Sequence, residues 1–357
     1  MAPEPDGPQA ARPRILQVMA GAGHGGAEAY FVRLCIALAE AGVPQRIVTR
    51  PHAGRRAALE AAGLTVAEAR FGGRLDIGTR GRIAAEAADF EPDIVMSYMS
   101  RASRFVPKGD YAAIGRLGGY YDLRYFRRLD HLVCNTRDLV AYVVGKGWPA
   151  ARAHYLPNFV VDRPAAPADR AAFDTPEGVP LVFALGRFHP NKAFDVLLEA
   201  LAALPDHVLW LAGEGPGRRA LEAQAERLGI ARRVRFLGWL DDPGPCYAAA
   251  DVFVLPSRHE PLGNVVLEAW MQARPVVATA SQGPKELVGD GDAALLVPVD
   301  EPAALAEAIG RVTGDPARAA SLARAGRAAY EGAFTAAAAV ARHRALFEAV
   351  LKERHGR

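Results

Sequence analysis

Short apolar runs recur along this chain, with helical stretches between several of them. In the first half they fall at Ile15 to Met19, Arg46 to Thr49, Leu64 to Ala67, Asp93 to Tyr98, Ala113 to Leu117 and Leu132 to Asn135. In the second half they fall at Leu181 to Leu185, Val208 to Ala212, Val234 to Leu237, Val252 to Leu255, Val276 to Thr279 and Ala294 to Val297. Such alternation predicts an α/β protein with parallel sheets covered by helices on both faces. At 357 residues, half of them apolar, the chain has room for two domains of ordinary size, each with its own core. The stretch 163–180, rich in Pro, Ala and Asp, reads as a linker between a first domain over 14–162 and a second over 181–335. A final helix pattern covers about 336–352.

Charge is close to balance, with 43 basic and 40 acidic residues and a net charge of +3, which gives no general case for nucleic acid. Cys35, Cys134 and Cys246 are far apart and odd in number, so they read as buried free thiols of a reducing, cytoplasmic compartment. No apolar run reaches the length of a membrane span. Residues 1–13 are rich in Pro and Ala, carry acids and lack an apolar signal core, and read as a disordered tail.

Three stretches carry chemistry. After the strand Val252 to Leu255, a loop bears Glu260, a glycine turn at Gly263 opens a helix, and Glu268 follows eight residues after Glu260. The two acids lie on the order of 10 Å apart at about 1.5 Å per helical residue, a span that suits the two ends of a nucleotide-sugar. The N–H groups of Gly263, Asn264 and Val265 leave the helix N-terminus, an end that attracts anions. Upstream, Gly186-Arg187-Phe188-His189-Pro190-Asn191-Lys192-Ala193-Phe194-Asp195 follows the strand Leu181 to Leu185. Arg187 and Lys192 thus sit at the C-terminal end of a strand, where open α/β sheets bind ligands, and two cations there can neutralise a leaving diphosphate. Near the start, Gly25-Gly26-Ala27-Glu28 follows the first strand, and glycines at such a turn let a ligand approach the backbone.

These three stretches, in their order along the chain, resemble those of the retaining glycosyltransferases of family 4, in which the stretch matching Glu260 to Glu268 is a Glu-x7-Glu motif. The resemblance implies the GT-B fold: two doubly wound Rossmann-like domains facing across a cleft, with the last helix, about 336–357, returning to the first domain. It implies that Glu260 holds hydroxyls of the donor sugar and Glu268 the ribose, while Arg187 and Lys192 meet the diphosphate. It places the loop beginning at Gly213 near the nucleotide and the backbone of Leu240 against the base. The family usually has glycine where this chain has Ala193. Many relatives carry histidines near the end of the strand Asp93 to Tyr98; here that end carries Arg101 and Arg104 instead.

Other features are open to two readings. Gly21-Ala22-Gly23-His24-Gly25-Gly26 also fits the dinucleotide fingerprint, but the second strand ends in Thr49-Arg50 rather than an acid, which would suit only an NADP-dependent dehydrogenase and would leave Arg187, Lys192, Glu260 and Glu268 unexplained. Arg101 and Arg104 either hold an anionic acceptor or are solvated. Residues Gly115 to Arg128 interleave aromatics with Arg124, Arg127 and Arg128; they suit an anionic membrane or an acidic glycolipid, or else form an amphipathic helix with solvated arginines. His24, His189 and His259 lie beside the motifs without Cys, Asp or Glu at metal-ligand spacing, so no metal and no cofactor is expected. Glu28 is a candidate base on the acceptor side.

The sequence therefore predicts a cytoplasmic, peripheral hexosyltransferase that moves a sugar from a nucleotide-sugar, a UDP-sugar by preference, to an acceptor such as a lipopolysaccharide core, with retained anomeric configuration. A GT-B epimerase or phosphorylase is the alternative.

Overall fold

A computed structural model describes residues 12–22, 25–73 and 76–356. The expected tail, apart from Arg12 and Pro13, and the fingerprint positions Gly23 and His24 lie outside the described residues. The chain divides into two compact units: one up to Asn158 together with Ala336 onward, the other Phe159–Thr335.

In the first unit β1 (Ile15–Met19), β2 (Gln45–Thr49), β3 (Thr65–Glu68), β4 (Ile94–Tyr98), β5 (Ala112–Leu117), β6 (His131–Cys134) and β7 (Ala153–Tyr155) form a parallel sheet in the order β3-β2-β1-β4-β5-β6-β7. β1 lies inside it, with Ile15 opposite Gln45 on one side and Ile94 on the other. Every residue of β1 is buried, which is why its run needs no polar alternation. Its one polar member, Gln17, is satisfied: it accepts from Tyr98 Oη at 2.9 Å and donates to Gln45 Oε1 at 2.9 Å. The edge strand β7 was invisible as an apolar run, because Ala-His-Tyr is half-buried and pairs on one side only. Helices α1 (Gly26–Glu40), α2 (Ala53–Ala61), α3 (Ile77–Phe90), α4 (Met99–Ser103) and α5 (Arg137–Gly145) connect the strands. His52, Asp76 and Thr136 cap α2, α3 and α5 by accepting from backbone N–H groups of the first turn.

Gly115 to Arg128 is not an amphipathic helix. Gly115 to Leu117 end β5, and only Leu123–Tyr125 makes a short 3-10 turn. The glycines at 118 and 119 and the aspartate cap at Asp122 break the helical pattern that the arginine spacing suggests.

The second unit holds β8 (Leu181–Leu185), β9 (Val208–Ala212), β10 (Val234–Gly238), β11 (Val252–Leu255), β12 (Val276–Thr279) and β13 (Leu295–Val297), parallel and ordered β10-β9-β8-β11-β12-β13. Its helices are α6 (Phe194–Ala202), α7 (Arg218–Arg227), α8 (Gly244–Ala249), α9 (Asn264–Met271), α10 (Gln282–Val288), α11 (Pro302–Thr313) and α12 (Pro316–Ala333). One core cluster gathers Trp210, Tyr247, Phe253 and Trp270; another gathers Phe188, Phe194, Leu197 and Leu211. α13 (Ala336–His355) belongs to the first unit, where fully buried His343 lies 3.4 Å from Tyr30 Oη of α1.

The stretch 163–180, expected as a linker, is part of the second unit. Ala165 N donates to Gln272 at 3.1 Å, Ala168 N to the Pro245 carbonyl at 2.9 Å, and Trp210 Nε1 to Thr175 Oγ1 at 2.8 Å. Its polar composition hid the apolar anchors Ala168, Phe173 and Val179, which pack on the core. Cys35, Cys134 and Cys246 are buried and free. Among the described residues no helix is long and apolar enough to cross a membrane.

Candidate active site

The second sheet reverses its strand order between β8 and β11. The two loops that leave the C-terminal ends of these neighbouring strands diverge there, and such a switch point is where open α/β sheets take their ligands. The loop after β8 carries Arg187 and Lys192; the loop after β11 carries Glu260. Sequence distance of about seventy residues is thus closed to direct contact: Lys192 Nζ and Glu260 Oε2 form an ion pair with side-chain exposures of 23% and 11%. Ser257 Oγ also donates to Glu260 Oε2, at 3.4 Å. The sequence suggests separate tasks for these two groups, but the fold makes each the neighbour of the other. Arg187, on the same loop as Lys192, is exposed.

A residue without a signal in the sequence joins the two loops. Arg258 Nη1 donates to the Pro190 carbonyl at 2.9 Å and to Asp195 Oδ1 at 2.9 Å, its Nη2 reaches Asp195 Oδ2 at 2.6 Å, and its Nε reaches Asp300 at 2.5 Å. This bidentate guanidinium–carboxylate fork fixes the 3-10 turn Pro190–Lys192 against the loop of Glu260. His259 N adds a bond to the Asn191 carbonyl at 3.2 Å. The Arg258 partner also holds the Asp195 carboxyl below its usual range, against the opposing effect of burial.

The loop from Gly213 is knitted to the same place. Phe188 N donates to the Glu214 carbonyl at 2.8 Å, and Gly213 N donates to the Gly238 carbonyl at 2.7 Å. Gly213 has φ +119, and a Cβ there would lie 2.0 Å from the Gly186 carbonyl oxygen, so only glycine fits. β10 ends next to it, delivering Leu240, half-buried on the core, and exposed Trp239 to the same edge. Gly263 has φ +92 and caps α9, whose first residues are Asn264 and Val265. Glu268 lies farther along α9, where Tyr247 Oη, buried in α8, donates to its Oε2 at 3.1 Å. Burial and this carboxylate push the tyrosine hydroxyl well above its ordinary pKa, so it stays a donor. Tyr247 too has no sequence signal: it reads as core, and its ring does stack against Phe183 and Phe253.

The first sheet reverses between β1 and β4, and the acceptor-side candidates Glu28, Arg101 and Arg104 follow these two strands, while Arg124 follows β5. Gly25 precedes α1 and Gly26 opens it. Glu28 is half-buried and accepts from Ala22 N at 2.7 Å; a Cβ on Gly25 would lie 2.4 Å from its Oε2. The space beside Gly21 and Gly25 is therefore filled by the chain's own carboxylate. Arg101 is exposed on α4, whereas Arg104 donates to the Gly72 carbonyl at 2.7 Å and covers the Phe105 ring. Arg124 pairs with Asp122 at 3.0 Å and bonds Tyr125 Oη at 2.8 Å. Among the described residues, Glu28, Arg104 and Arg124 make no bond to one another.

Residues 179–315, most of the second unit, match the family described as glycosyl transferases group 1. Over 316 residues the chain is 41% identical to a lipopolysaccharide core biosynthesis glycosyltransferase, LpsE, of Rhizobium meliloti, covering 87% of this chain and 92% of that one. It is 39% identical to LpsD of the same organism, over 82% of this chain and 86% of that one. In three dimensions it is similar to Anabaena HepE solved with UDP and glucose, with a TM-score of 0.81, 21% identity and coverage of 95% and 100%. Two doubly wound parallel sheets, the loop contacts of Lys192 with Glu260, and a likeness to LpsE along nearly the whole chain lead to one assignment: the protein belongs to the group 1 glycosyltransferases and is a glycosyltransferase of the GT-B fold.

Proposed function

We propose that the enzyme moves a hexosyl group from a UDP-sugar to a hydroxyl of a lipopolysaccharide core acceptor, with retention at the anomeric carbon. The observation that carries this reading is the meeting of Lys192, Glu260 and the α9 N-terminus at the β8–β11 switch point, on the loop that also bears Arg187. Arg187, Lys192 and the end of α9 face the diphosphate; Glu260 takes hydroxyls of the sugar; Glu268 takes the ribose. The bond between the anomeric carbon and the β-phosphate oxygen breaks, the acceptor oxygen bonds on the same face, and its proton passes to the leaving diphosphate. The positive charge needed there comes from side chains and backbone N–H groups, so the reading includes no metal and no cofactor. That LpsE and LpsD are lipopolysaccharide core biosynthesis glycosyltransferases supports the acceptor, and the UDP held by HepE supports the base.

The test is a thermal-shift panel of UDP, GDP, ADP and their sugars. A ligand at about 100 times its dissociation constant adds about 2.7 kcal/mol of stability. UDP and one UDP-sugar are expected to stabilise the protein; a preference for GDP or ADP overturns the base. Donor consumption with and without truncated lipopolysaccharide then separates transfer from epimerisation, which needs no acceptor. A peripheral cytoplasmic location fits the reading: Arg124, Arg127 and Arg128 are exposed next to Tyr120 and Tyr125. Each would contribute about 1 kcal/mol on an anionic vesicle, screened by salt. Changing all three to Gln is expected to release the protein from such vesicles, and equal sedimentation of variant and wild type would remove the membrane from the picture.

A further inference from the structure

Beside the filled glycine turn of the first unit lies a cavity of about 400 Å³, lined by Gly21, Ala22, Arg50, Pro51, His52 and Arg70. It sits at the C-terminal ends of three adjacent strands: Gly21 and Ala22 follow β1, Arg50 follows β2, and Arg70 lies just past β3. A third guanidinium supports it from below. Arg55, 5% exposed, donates to Thr49 Oγ1 at 3.0 Å and to the Ala22 carbonyl at 2.5 Å. Arg50 is close enough to act on Arg55 as a like charge.

The nearby acids are already engaged. Glu28 holds Ala22 N, and Asp76 takes Gly72 N at 2.6 Å, Thr79 Oγ1 at 2.6 Å and Thr79 N at 2.9 Å. Arg50 and Arg70 form no ion pair among the described residues. The loop that presents Arg70 is nonetheless fixed. Phe71 adopts φ 47, Phe71 N donates to Thr79 Oγ1 at 2.9 Å, and Arg104 holds the Gly72 carbonyl. Asp76 is close enough to act on Arg70 as an opposite charge, and Glu28 on Arg55, but neither makes an ion-pair contact with Arg50 or Arg70. A partly enclosed cavity whose two lining guanidiniums are not ion-paired is suited to an outside anion, and guanidinium forks match the planar or tetrahedral oxygens of carboxylate and phosphate.

We propose that this cavity is an anion subsite for the acceptor, in which Arg50 and Arg70 grip a phosphate or carboxylate carried by the acceptor sugar. It rests on the reading that the first unit receives the acceptor. A nucleotide is the poorer occupant because Glu28 fills the space beside Gly21 and Gly25. Arg104 acts here as a positioning residue, through Gly72, rather than as a ligand.

The test uses the full chain with UDP in saturating amount, so that other phosphate-binding loops are occupied. Glucose 6-phosphate, glucuronate and neutral glucose are titrated calorimetrically into wild type, Arg70→Gln and the double variant Arg50→Gln/Arg70→Gln. Arg70 is exposed, so its change leaves the core intact, and melting curves verify this for both variants. At least one anionic sugar is expected to bind about tenfold or more tightly than glucose, as a charge-assisted hydrogen bond implies, and the variants are expected to lose that preference while keeping their UDP affinity. The phosphate and carboxylate arms identify the group. Equal binding of charged and neutral sugars by wild type, or a preference that survives the double change, overturns the proposal. So does an NADPH or anionic-vesicle interaction that the double change abolishes while no sugar anion binds. Failure of UDP itself to bind would strike the donor reading alone, since the sugar arms can be repeated without it.

Discussion

At the β8–β11 reversal of the second unit, two loops from different strands are tied to each other: Lys192 to Glu260, Arg258 to Pro190 and Asp195, His259 to Asn191. At the β1–β4 reversal of the first unit, the charged groups instead bond backbone: Glu28 takes Ala22 N, and Arg104 donates to the Gly72 carbonyl. The same topology thus carries two kinds of edge. A site that must meet the growing charge of a leaving diphosphate gains from fixed donors, because the electrostatic benefit depends on preorganisation. A site for an acceptor needs room and exposed charge, and the cavity at Arg50 and Arg70 supplies both.

The largest effects are therefore expected where loops of the second unit lose a charge. Lys192→Ala or Arg187→Ala should lower turnover by roughly 10²- to 10³-fold with the melting temperature little changed. Near-normal turnover in both would refute the assignment. Arg258→Ala tests the tie itself. Misplacing a reactive group by about 1 Å can cost about 10²-fold, so kcat should fall by up to that amount, and Arg258→Lys, which keeps the charge but not the fork, should rescue little of it. Full rescue by lysine would mean that charge alone matters there.

Acid should break the comparison on the other side. Burial depresses His343 to about 4, with the Ala339 carbonyl pulling the other way, and burial likewise brings His154 to about 4. An unfolded histidine binds its proton near 6.5, whereas folded His343 refuses it until about pH 4. Over that window the unfolded state holds more protons, so stability is lost as pH falls from about 6.5 to 4, by roughly 3 kcal/mol for His343 when complete. Peptide-resolved hydrogen exchange at pH 7 and 4.5 should show α1 and α13 opening more readily in acid, and His343→Leu should flatten that change. An unaltered acid dependence in the variant would exclude His343 as its source.

The two carboxylates sharpen the map within the second unit. Glu268→Ala should weaken bare UDP by about 1.5 to 3 kcal/mol, the worth of a hydrogen bond to a charged group. Glu260→Ala should leave bare UDP nearly unchanged and weaken only the UDP-sugar. Equal losses of bare UDP in the two variants would collapse the distinction between ribose and sugar ends.

What the sequence made legible follows from what each signal depends on. Buried parallel strands are continuous apolar runs, so Leu181–Leu185 and Val252–Leu255 are readable to the residue, and the loops after them locate Arg187, Lys192 and Glu260. β7 escapes because an edge strand needs no apolar run, and the stretch 163–180 escapes because a segment can wrap a core through a few anchors while its composition stays polar. Arg258 and Tyr247 escape for another reason. Their roles exist only through partners far away in sequence, Asp195 and Glu268, and side-chain type alone marks neither.

Ala193 joins the two scales, because the departure seen in sequence acquires a cause in the structure. It caps α6 at φ 50, ψ 38, a left-handed conformation that glycine adopts freely, and it follows Lys192 directly. An alanine there bears about 1 to 2 kcal/mol of steric cost. Its Cβ is fully buried, however, beside the cluster of Phe188 and Phe194, and a buried methyl returns about 0.8 kcal/mol. Glycine would also lose about 0.5 to 1 kcal/mol through the freedom of its unfolded chain. The terms nearly cancel, so Ala193→Gly is expected to change unfolding stability by less than about 1 kcal/mol in either direction, and to leave turnover within about twofold. Urea denaturation and initial rates on the same preparation read both. A loss of more than about 2 kcal/mol would show that the methyl is required for packing. A tenfold fall in rate without loss of stability would show instead that the strained turn sets the position of Lys192.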